Sequence, residues 1–243
     1  CLQVLGYFLI VQIYILLNMI LFGITSGGGV FIAQFWGKKD HAGIRKSLGL
    51  MTLIAFVVSF IFTIVCLLIP NQLIRLYSPD PQVIKVGGSY LRFVCLSYVP
   101  TAISFSITLA LRSTERVKLP LVCTSISLFT NLIANYLLIF VAGLGVKGAA
   151  IATVISRIIE LVILATWSYS HKYEICGKLK ELLGFNRYFI VKFLKIAFPV
   201  IINETFWGLG TSVYNAIFAH AGTNAFTAYS ITGTISQLTW VFC

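Results

Sequence analysis

Long apolar segments with few charged side chains recur along this chain. Residues 47–69 are 23 consecutive residues without Asp, Glu, Lys or Arg, and five further segments resemble this run in length and hydrophobicity. An α-helix needs about 20 apolar residues to cross the ~30 Å hydrocarbon core of a bilayer. The chain is therefore predicted to be an all-α, polytopic transmembrane helix bundle.

The overall composition excludes an ordinary soluble fold. Hydrophobic residues make up 58% of the 243 residues and charged residues only 10%, whereas about 25% of the residues in a soluble domain are charged. The protein is therefore expected to span the membrane several times. The predicted spans are residues 4–35, 47–69, 88–111, 119–141, 147–169 and 190–219, and a seventh span begins near Ala225. Pro100 lies within the third span and predicts a kink there.

Basic residues concentrate on one side of the predicted membrane. Alternate connections between the spans hold 13 of the 18 Lys and Arg residues, the opposite side holds four, and Arg157 lies inside a span. Because cytoplasmic loops are enriched in Lys and Arg, the connections that begin near Gly37, Arg112 and Ser170 are predicted to be cytoplasmic. The net charge of +11 is thus explained by topology, and no nucleic-acid binding is expected.

Residues 127–160 form two apolar runs joined by a short Gly-rich turn, and each run carries one polar line. Asn131 and Asn135 are one helical turn apart, and so are Thr153 and Arg157. Unpaired polar groups cannot face lipid at low cost, so the two lines are predicted to face each other or a wet cavity. The asparagines are either structural links between helices or oxygen ligands for a cation.

Three charged residues, Arg157, Glu160 and Glu204, lie deep inside the predicted spans, away from their ends, where an unpaired charge is expensive. Arg157 and Glu160 are three residues apart on one helical face and are natural partners. They form either a buried ion pair that fixes the bundle or part of a proton or substrate path. Glu204 has no basic residue within a helical turn, so it is predicted to bind a proton or a cation; the alternative is an inert carboxyl group bonded to another helix.

Polar and aromatic residues around Glu204 are candidates for a substrate cavity. Glu204, Gly208, Thr211 and Asn215 share one helical face. The Trp and Tyr rings nearby either stack on a flat cation or serve as packing and interface anchors. The residues predicted to line this cavity are Asn203, Trp207, Thr211, Tyr214 and Asn215.

The sequence carries no signature of catalysis or of a cofactor. The six cysteines are scattered, the three histidines show no metal-ligand spacing, and no nucleotide-binding or nucleophile motif occurs. The protein is therefore expected not to be an enzyme and to need no cofactor or metal beyond a coupling ion. Any active transport would run on an ion gradient or on a partner that is not part of this sequence.

Six ordered motifs resemble the multidrug and toxic compound extrusion (MATE) family of drug/cation antiporters. They are GITSG at 23–27, AQFWGKKD at 33–40, LALRSTE at 109–115, NLIANY at 131–136, GVKGAAIAT at 145–153 and FPVIINETFW at 198–207. The resemblance implies a bacterial cytoplasmic-membrane protein of twelve helices in two six-helix lobes. Since the chain starts at Cys1 and stops within an apolar run, we expect it to be a piece of a longer protein.

The resemblance also implies a domain organisation and a set of coupling residues. Residues 1–170 would be most of the first lobe without its first helix, 171–189 a cytoplasmic connection, and 190–243 the start of the second lobe. The cation or proton coupling residues implied by the motifs are Glu204, Asn131, Asn135 and Thr153.

The expected function is export of small organic cations or drugs in exchange for Na+ or H+, by alternating access, in a monomeric transporter. One alternative is a flippase of the same wider superfamily that moves a lipid-linked oligosaccharide. A second alternative, from another functional class, is a seven-helix receptor or channel.

Overall fold

The computed structural model describes residues 2–75, 81–220 and 232–233, and the regular structure in this part of the chain is entirely helical. The long helices are α1 (Leu2–Gly37), α2 (His41–Leu68), α4 (Pro81–Val94), α5 (Tyr98–Ser113), α6 (Lys118–Asn135), α7 (Gly145–Ser170) and α9 (Arg187–His220), and the short ones are α3 (Pro70–Arg75) and α8 (Leu179–Leu182). A 3₁₀ turn, Cys95–Ser97, joins α4 to α5, and a π-helical turn, Tyr136–Val141, extends α6. The predicted fold class is confirmed.

Five helical segments among the described residues are long and apolar enough to cross a membrane. They are Ile13–Gly37, His41–Leu68, Ile84–Ser113, Lys118–Val141 and Gly145–Ser170. They correspond to the first five predicted spans, and the chain is a multi-pass membrane protein. The predicted sixth span is one continuous helix, α9, but Pro199, Asn203 and Glu204 make it less apolar and it is not among the five. The predicted start of the seventh span, at Ala225, lies outside the described residues.

The third span is interrupted where the sequence predicted a kink. Pro100 lies in the first turn of α5 and has no N–H group to donate to a carbonyl of the preceding turn. The chain adopts the 3₁₀ turn at this point, and the buried Thr63 hydroxyl of α2 donates to the Cys95 carbonyl over 3.1 Å. The irregular backbone is therefore tied to a neighbouring helix.

Two ion pairs bring the basic connections to the same end of the bundle. Arg45, near the start of α2, contacts Glu181 over 2.9 Å, and Arg116, between α5 and α6, contacts Glu174 over 3.3 Å. Both glutamates belong to the connection between α7 and α9. The arrangement agrees with the topology predicted from the basic residues, and we call this end of the molecule the basic end.

Helices α1 and α9 pack closely at glycines of α1. A Cβ atom at Gly23 would lie 2.7 Å from the Ile201 Cα, and one at Gly27 would lie 2.6 Å from the Ala197 Cα. Small residues allow this approach between membrane helices. The Gly-rich stretch of the first span therefore serves helix packing, and α1 continues through it without a break.

Replacing Gly27 by Ala is expected to lower the free energy of unfolding of the complete protein in detergent by about 1–3 kcal/mol, and with it the melting temperature. The reason is that a methyl group there would push against backbone atoms of α9. The matched control is Gly37→Ala on the same helix, where a Cβ atom meets open space. We expect the control to be neutral or slightly stabilising. Equal melting temperatures for the two variants would contradict the close α1–α9 contact.

Candidate functional site

The hairpin of α6 and α7 is closed by a tight, Gly-dependent turn. Gly143 and Gly145 have φ angles of +65° and +52°, a backbone conformation in which a side chain would be strained. A Cβ atom at Gly148 would lie 2.8 Å from the Leu138 carbonyl oxygen, so the two helices approach closely just beyond the turn. This local geometry sets the register in which the polar residues of the two helices meet.

The two polar lines predicted on the hairpin face each other. The Ser127 hydroxyl donates to the Ser156 carbonyl over 3.1 Å, and the Asn131 amide donates to the Ser156 hydroxyl over 3.3 Å. The Asn135 amide in turn donates to the Asn131 side-chain oxygen over 2.9 Å. Thr153 is connected to this group through its carbonyl, which accepts from the Ser156 hydroxyl over 2.9 Å. We call these five residues the polar ladder.

The predicted Arg157–Glu160 pair is formed within α7. The guanidinium Nη1 and the carboxylate Oε2 are 2.7 Å apart, and the other carboxylate oxygen accepts from the Thr124 hydroxyl of α6 over 3.3 Å. Glu160 is 5% exposed, whereas the Arg157 side chain is 33% exposed. The carboxylate is thus enclosed between two helices, and the arginine reaches from it into open space.

That open space consists of two cavities that share Arg157 and Thr124. The ladder cavity, of about 260 Å³, is bounded by four of the five polar-ladder residues, all except Asn135, together with Tyr14 and Tyr90. The hydroxyl cavity, of about 240 Å³, extends from Glu160 toward Arg112 at the basic end. Each has room for several water molecules, at about 30 Å³ per molecule. The ion pair therefore stands where two wettable cavities, one toward each end of the bundle, meet.

The hydroxyl cavity contains functional candidates that were not predicted. Its wall on α5 carries Thr101, Ser104 and Thr108, and the Ser104 hydroxyl is buried without a hydrogen-bond partner in the described structure. An unmatched buried hydroxyl beside a cavity is a natural contact for water. The signal was present in the sequence, because these residues are spaced i, i+3 and i+7 along one helical face.

Glu204 lies apart from the polar ladder and from the Arg157–Glu160 pair. On α9 it falls between Ile201 and Gly208, both of which face α1, and it is partly buried. Within the described ranges it takes part in no ion pair. It lines neither the ladder cavity nor the hydroxyl cavity. The structure therefore brings Asn131, Asn135 and Thr153 together and leaves Glu204 as a separate candidate site.

The predicted substrate-cavity residues are spread over the outer surface of α9. Asn203 is exposed, Trp207 and Tyr214 are 59% and 60% exposed, and the Thr211 hydroxyl donates to the Trp207 carbonyl. The Asn215 side chain lies outside the described part of the chain. These residues place aromatic and polar groups on the surface of α9. They line neither the ladder cavity nor the hydroxyl cavity.

The donor groups present suit a small hard cation or protons better than a transition metal. No group of three or more His, Cys, Asp or Glu able to hold a metal occurs among the residues that the structure describes. The polar ladder offers amide and hydroxyl oxygens, which are ligands for hard cations. Among the described residues, the carboxylate at its edge is Glu160, which is already paired with Arg157.

The sequence profile of the MatE family matches residues 3–137 of this chain. The probable multidrug resistance protein YoeA of Bacillus subtilis is 24% identical over 231 residues, which covers 93% of this chain and 50% of that protein. The multidrug export protein MepA of Staphylococcus saprophyticus is 23% identical over 217 residues, covering 89% of this chain and 48% of that protein. The chain thus spans about half the length of the curated relatives it matches.

Solved structures agree with the sequence comparisons. A multidrug resistance MATE family transporter of the MOP superfamily, in an inward-facing conformation, matches with a TM-score of 0.83 and 17% identity, covering 99% of this chain and 55% of that chain. A MOP superfamily transporter from Pyrococcus furiosus matches with a TM-score of 0.85 and 16% identity, covering 96% and 52%. At these identities the likeness establishes the fold.

Proposed function

We propose that this chain, which belongs to the MatE family, forms about half of a secondary transporter that exports small organic compounds across the cytoplasmic membrane. Family membership agrees with the resemblance of the six sequence motifs. The exchanged ion is Na+ or H+, and the two lobes of the transporter alternate between inward-open and outward-open states. In this proposal residues 1–170 belong to the first lobe, 171–189 connect the lobes, and 190–243 begin the second lobe.

The observation that carries the proposal is the meeting of two polar cavities at one ion pair. A transporter needs a polar route that is open toward one side of the membrane at a time. The ladder cavity and the hydroxyl cavity supply two half-routes, and Arg157 and Glu160 lie between them. Opening and closing of this contact would connect or separate the halves, so a charged pair inside the membrane is expected at this point.

We assign ion coupling to Glu204 first and to the polar ladder second. Glu204 is a partly buried carboxylate outside the ion pairs of the described residues, and such a group favours a proton or a cation as its partner. Asn131, Asn135 and Thr153 provide neutral oxygens only. Because the polar ladder contains no carboxylate, it is suited to holding water along a transport route or to binding a cation weakly.

The substrate class follows from the relatives and from the exposed face of α9. The matched relatives are described as multidrug resistance and export proteins. Trp207 and Tyr214 present large aromatic surfaces, which bind flat or cationic organic molecules. We therefore propose amphipathic, often cationic, substrates and a monomeric transporter that needs no further protein partner.

The complete protein is expected to move a fluorescent cationic dye in everted membrane vesicles when either a Na+ or a proton gradient is imposed. Vesicles from cells without the transporter are the control. The gradient that drives transport identifies the coupling ion. Absence of dye movement on both gradients, together with gradient-independent movement of a labelled lipid-linked oligosaccharide, would overturn the antiporter and support the flippase alternative.

A further inference from the structure

A third cavity, of about 400 Å³, lies at the basic end, away from the polar ladder. Its walls are chiefly aliphatic and come from α2, α5, α7 and the connection between α7 and α9. Along α2 it runs from Leu48 to Phe56, which is about 12 Å of helix. That is close to the depth of one leaflet of the ~30 Å hydrocarbon core.

The connection after α7 covers part of this cavity. A Cβ atom at Gly49 of α2 would collide with the Leu182 carbonyl oxygen, so α8 lies directly on α2. The Tyr169 hydroxyl donates to the Gly177 carbonyl over 3.2 Å and holds the connection against α7. Burial raises the pKa of the Cys176 thiol, so this residue contributes a neutral side chain to the wall.

One polar atom in the wall has no partner. Ser168 is 2% exposed, it lines the cavity, and its hydroxyl makes no hydrogen bond in the described structure. Leaving a buried hydroxyl unsatisfied is unfavourable. Ser168 is two residues from the end of α7, which places the hydroxyl near the membrane surface, at the shallow end of the cavity. A ligand with a hydrogen-bond acceptor at this depth would satisfy it.

Basic residues lie next to residues that line the shallow end. Lys178 and Lys180 are exposed and flank Leu179, which lines the cavity. The Lys46 side chain passes 3.8 Å from the Cβ position of Gly184, just after α8. In the described part of the chain, none of the three lysines takes part in an ion pair. Their charges remain available to an anion at the membrane surface.

We propose that this cavity binds one anionic phospholipid from the adjacent leaflet. From the bilayer interior to its surface, the site presents first an apolar wall, then a hydrogen-bond donor and then positive charge. A phospholipid presents the same order as acyl chain, ester carbonyl and phosphate. The acyl chain occupies the aliphatic cavity, the ester carbonyl accepts from the Ser168 hydroxyl, and the headgroup contacts Lys46, Lys178 and Lys180.

The bound lipid would link the connection between α7 and α9 to helices α2, α5 and α7. The acyl chain touches α2, α5 and α7 on one side and Leu179, Leu182 and Leu183 on the other. If the two lobes move against each other, this segment must transmit or absorb that movement. The lipid is therefore placed to set the position of the connection, and anionic lipid content becomes a means of regulation that is separate from substrate or coupling ion.

The test uses the complete purified protein in vesicles that contain a small fraction of phosphatidylglycerol with a photoreactive acyl chain. Labelled residues are mapped by peptide mass spectrometry. We expect labels on the cavity-lining positions Phe56, Ile103 and Ile107, and much weaker labelling there by phosphatidylcholine carrying the same chain. Ser168→Ala should reduce the labelling about fivefold, the ratio that corresponds to loss of one hydrogen bond of ~1 kcal/mol.

Two tryptophan variants on α7 form a matched pair. Ala165→Trp fills the cavity and should abolish labelling at the three positions, whereas Val162→Trp lies on the exposed face outside the cavity and should leave it unchanged. Equal labelling by both lipids, or labelling that survives both Ala165→Trp and Ser168→Ala, would show ordinary surrounding lipid and overturn the proposal. Ser168→Ala keeps the test decisive if Ala165→Trp does not fold.

Discussion

Replacing Glu160 by Ala is expected to destabilise the protein by about 3–5 kcal/mol, the range measured when one partner of a buried ion pair is removed. Glu160 is 5% exposed and accepts from both Arg157 and Thr124. Without it the Arg157 guanidinium would stand inside the membrane with no anion beside it in the described structure. We expect little monodisperse protein after mild heating in detergent. Thr166→Ala, at an exposed polar position on the same helix, should change stability by no more than about 0.5 kcal/mol.

A double variant separates the structural role of the pair from a role in transport. Replacing both partners of a buried ion pair by apolar residues of similar volume is often neutral or stabilising, so Arg157→Met with Glu160→Met should fold as well as the wild type. If this variant folds but no longer transports dye, the pair belongs to the transport route. If Glu160→Ala is as stable as the Thr166→Ala control, the pair is not buried as the structure shows.

The helical framework and the hairpin were predictable because their signals are local. Asn131, Asn135, Thr153 and Arg157 repeat at helical spacing, and hydrocarbon does not tolerate unpaired polar groups. Together these two facts require that the polar lines face each other or a wet cavity, and in the structure they face each other beside the ladder cavity. Pro100 predicted the interruption of the third span for an equally local reason, its missing N–H group.

Contacts between distant segments were beyond prediction because periodicity does not fix the rotation of one helix against another. The bond from Thr124 to Glu160 joins residues 36 positions apart. The spacing of the α5 hydroxyls places them on one helical face, but only the packing of α5 brings that face to the cavity beside Arg157. The close packing of Gly27 on Ala197 joins the first helix to the last described one. In each case the face that a helix presents is decided by the fit of several neighbours together.

The position of Glu204 shows the same limit in the candidate site. Its spacing with Gly208 predicted a shared face, and the structure agrees, since Gly208 approaches Met19 of α1. Sequence motifs grouped Glu204 with the polar ladder as one coupling set. The structure separates them, because α9 packs on α1 while the ladder lies between α6 and α7. A family motif gives the residue types that recur at certain positions. It does not give the distances between those residues in the folded protein.

Replacing Glu204 by Gln is expected to reduce gradient-driven dye efflux to the level of vesicles without the transporter, while the amount of folded protein stays unchanged. Glutamine preserves the size of the side chain but can neither release a proton nor supply a charge to Na+. Stability should be retained because Glu204 takes part in none of the ion pairs among the described residues. This expectation is opposite to that for Glu160, although both are carboxylates inside membrane helices.

Two further variants make the Glu204 experiment specific. Glu204→Asp keeps the carboxylate one carbon shorter and should retain part of the efflux, with a weaker apparent affinity for the coupling ion. Thr205→Ala removes the neighbouring hydroxyl, which donates only to the Ile201 carbonyl of its own helix, and should transport like the wild type. Full efflux by Glu204→Gln would exclude the carboxylate as the ion carrier. Within this chain, the polar ladder would then be the next candidate for ion coupling, and Asn131→Ala and Asn135→Ala would be expected to abolish it.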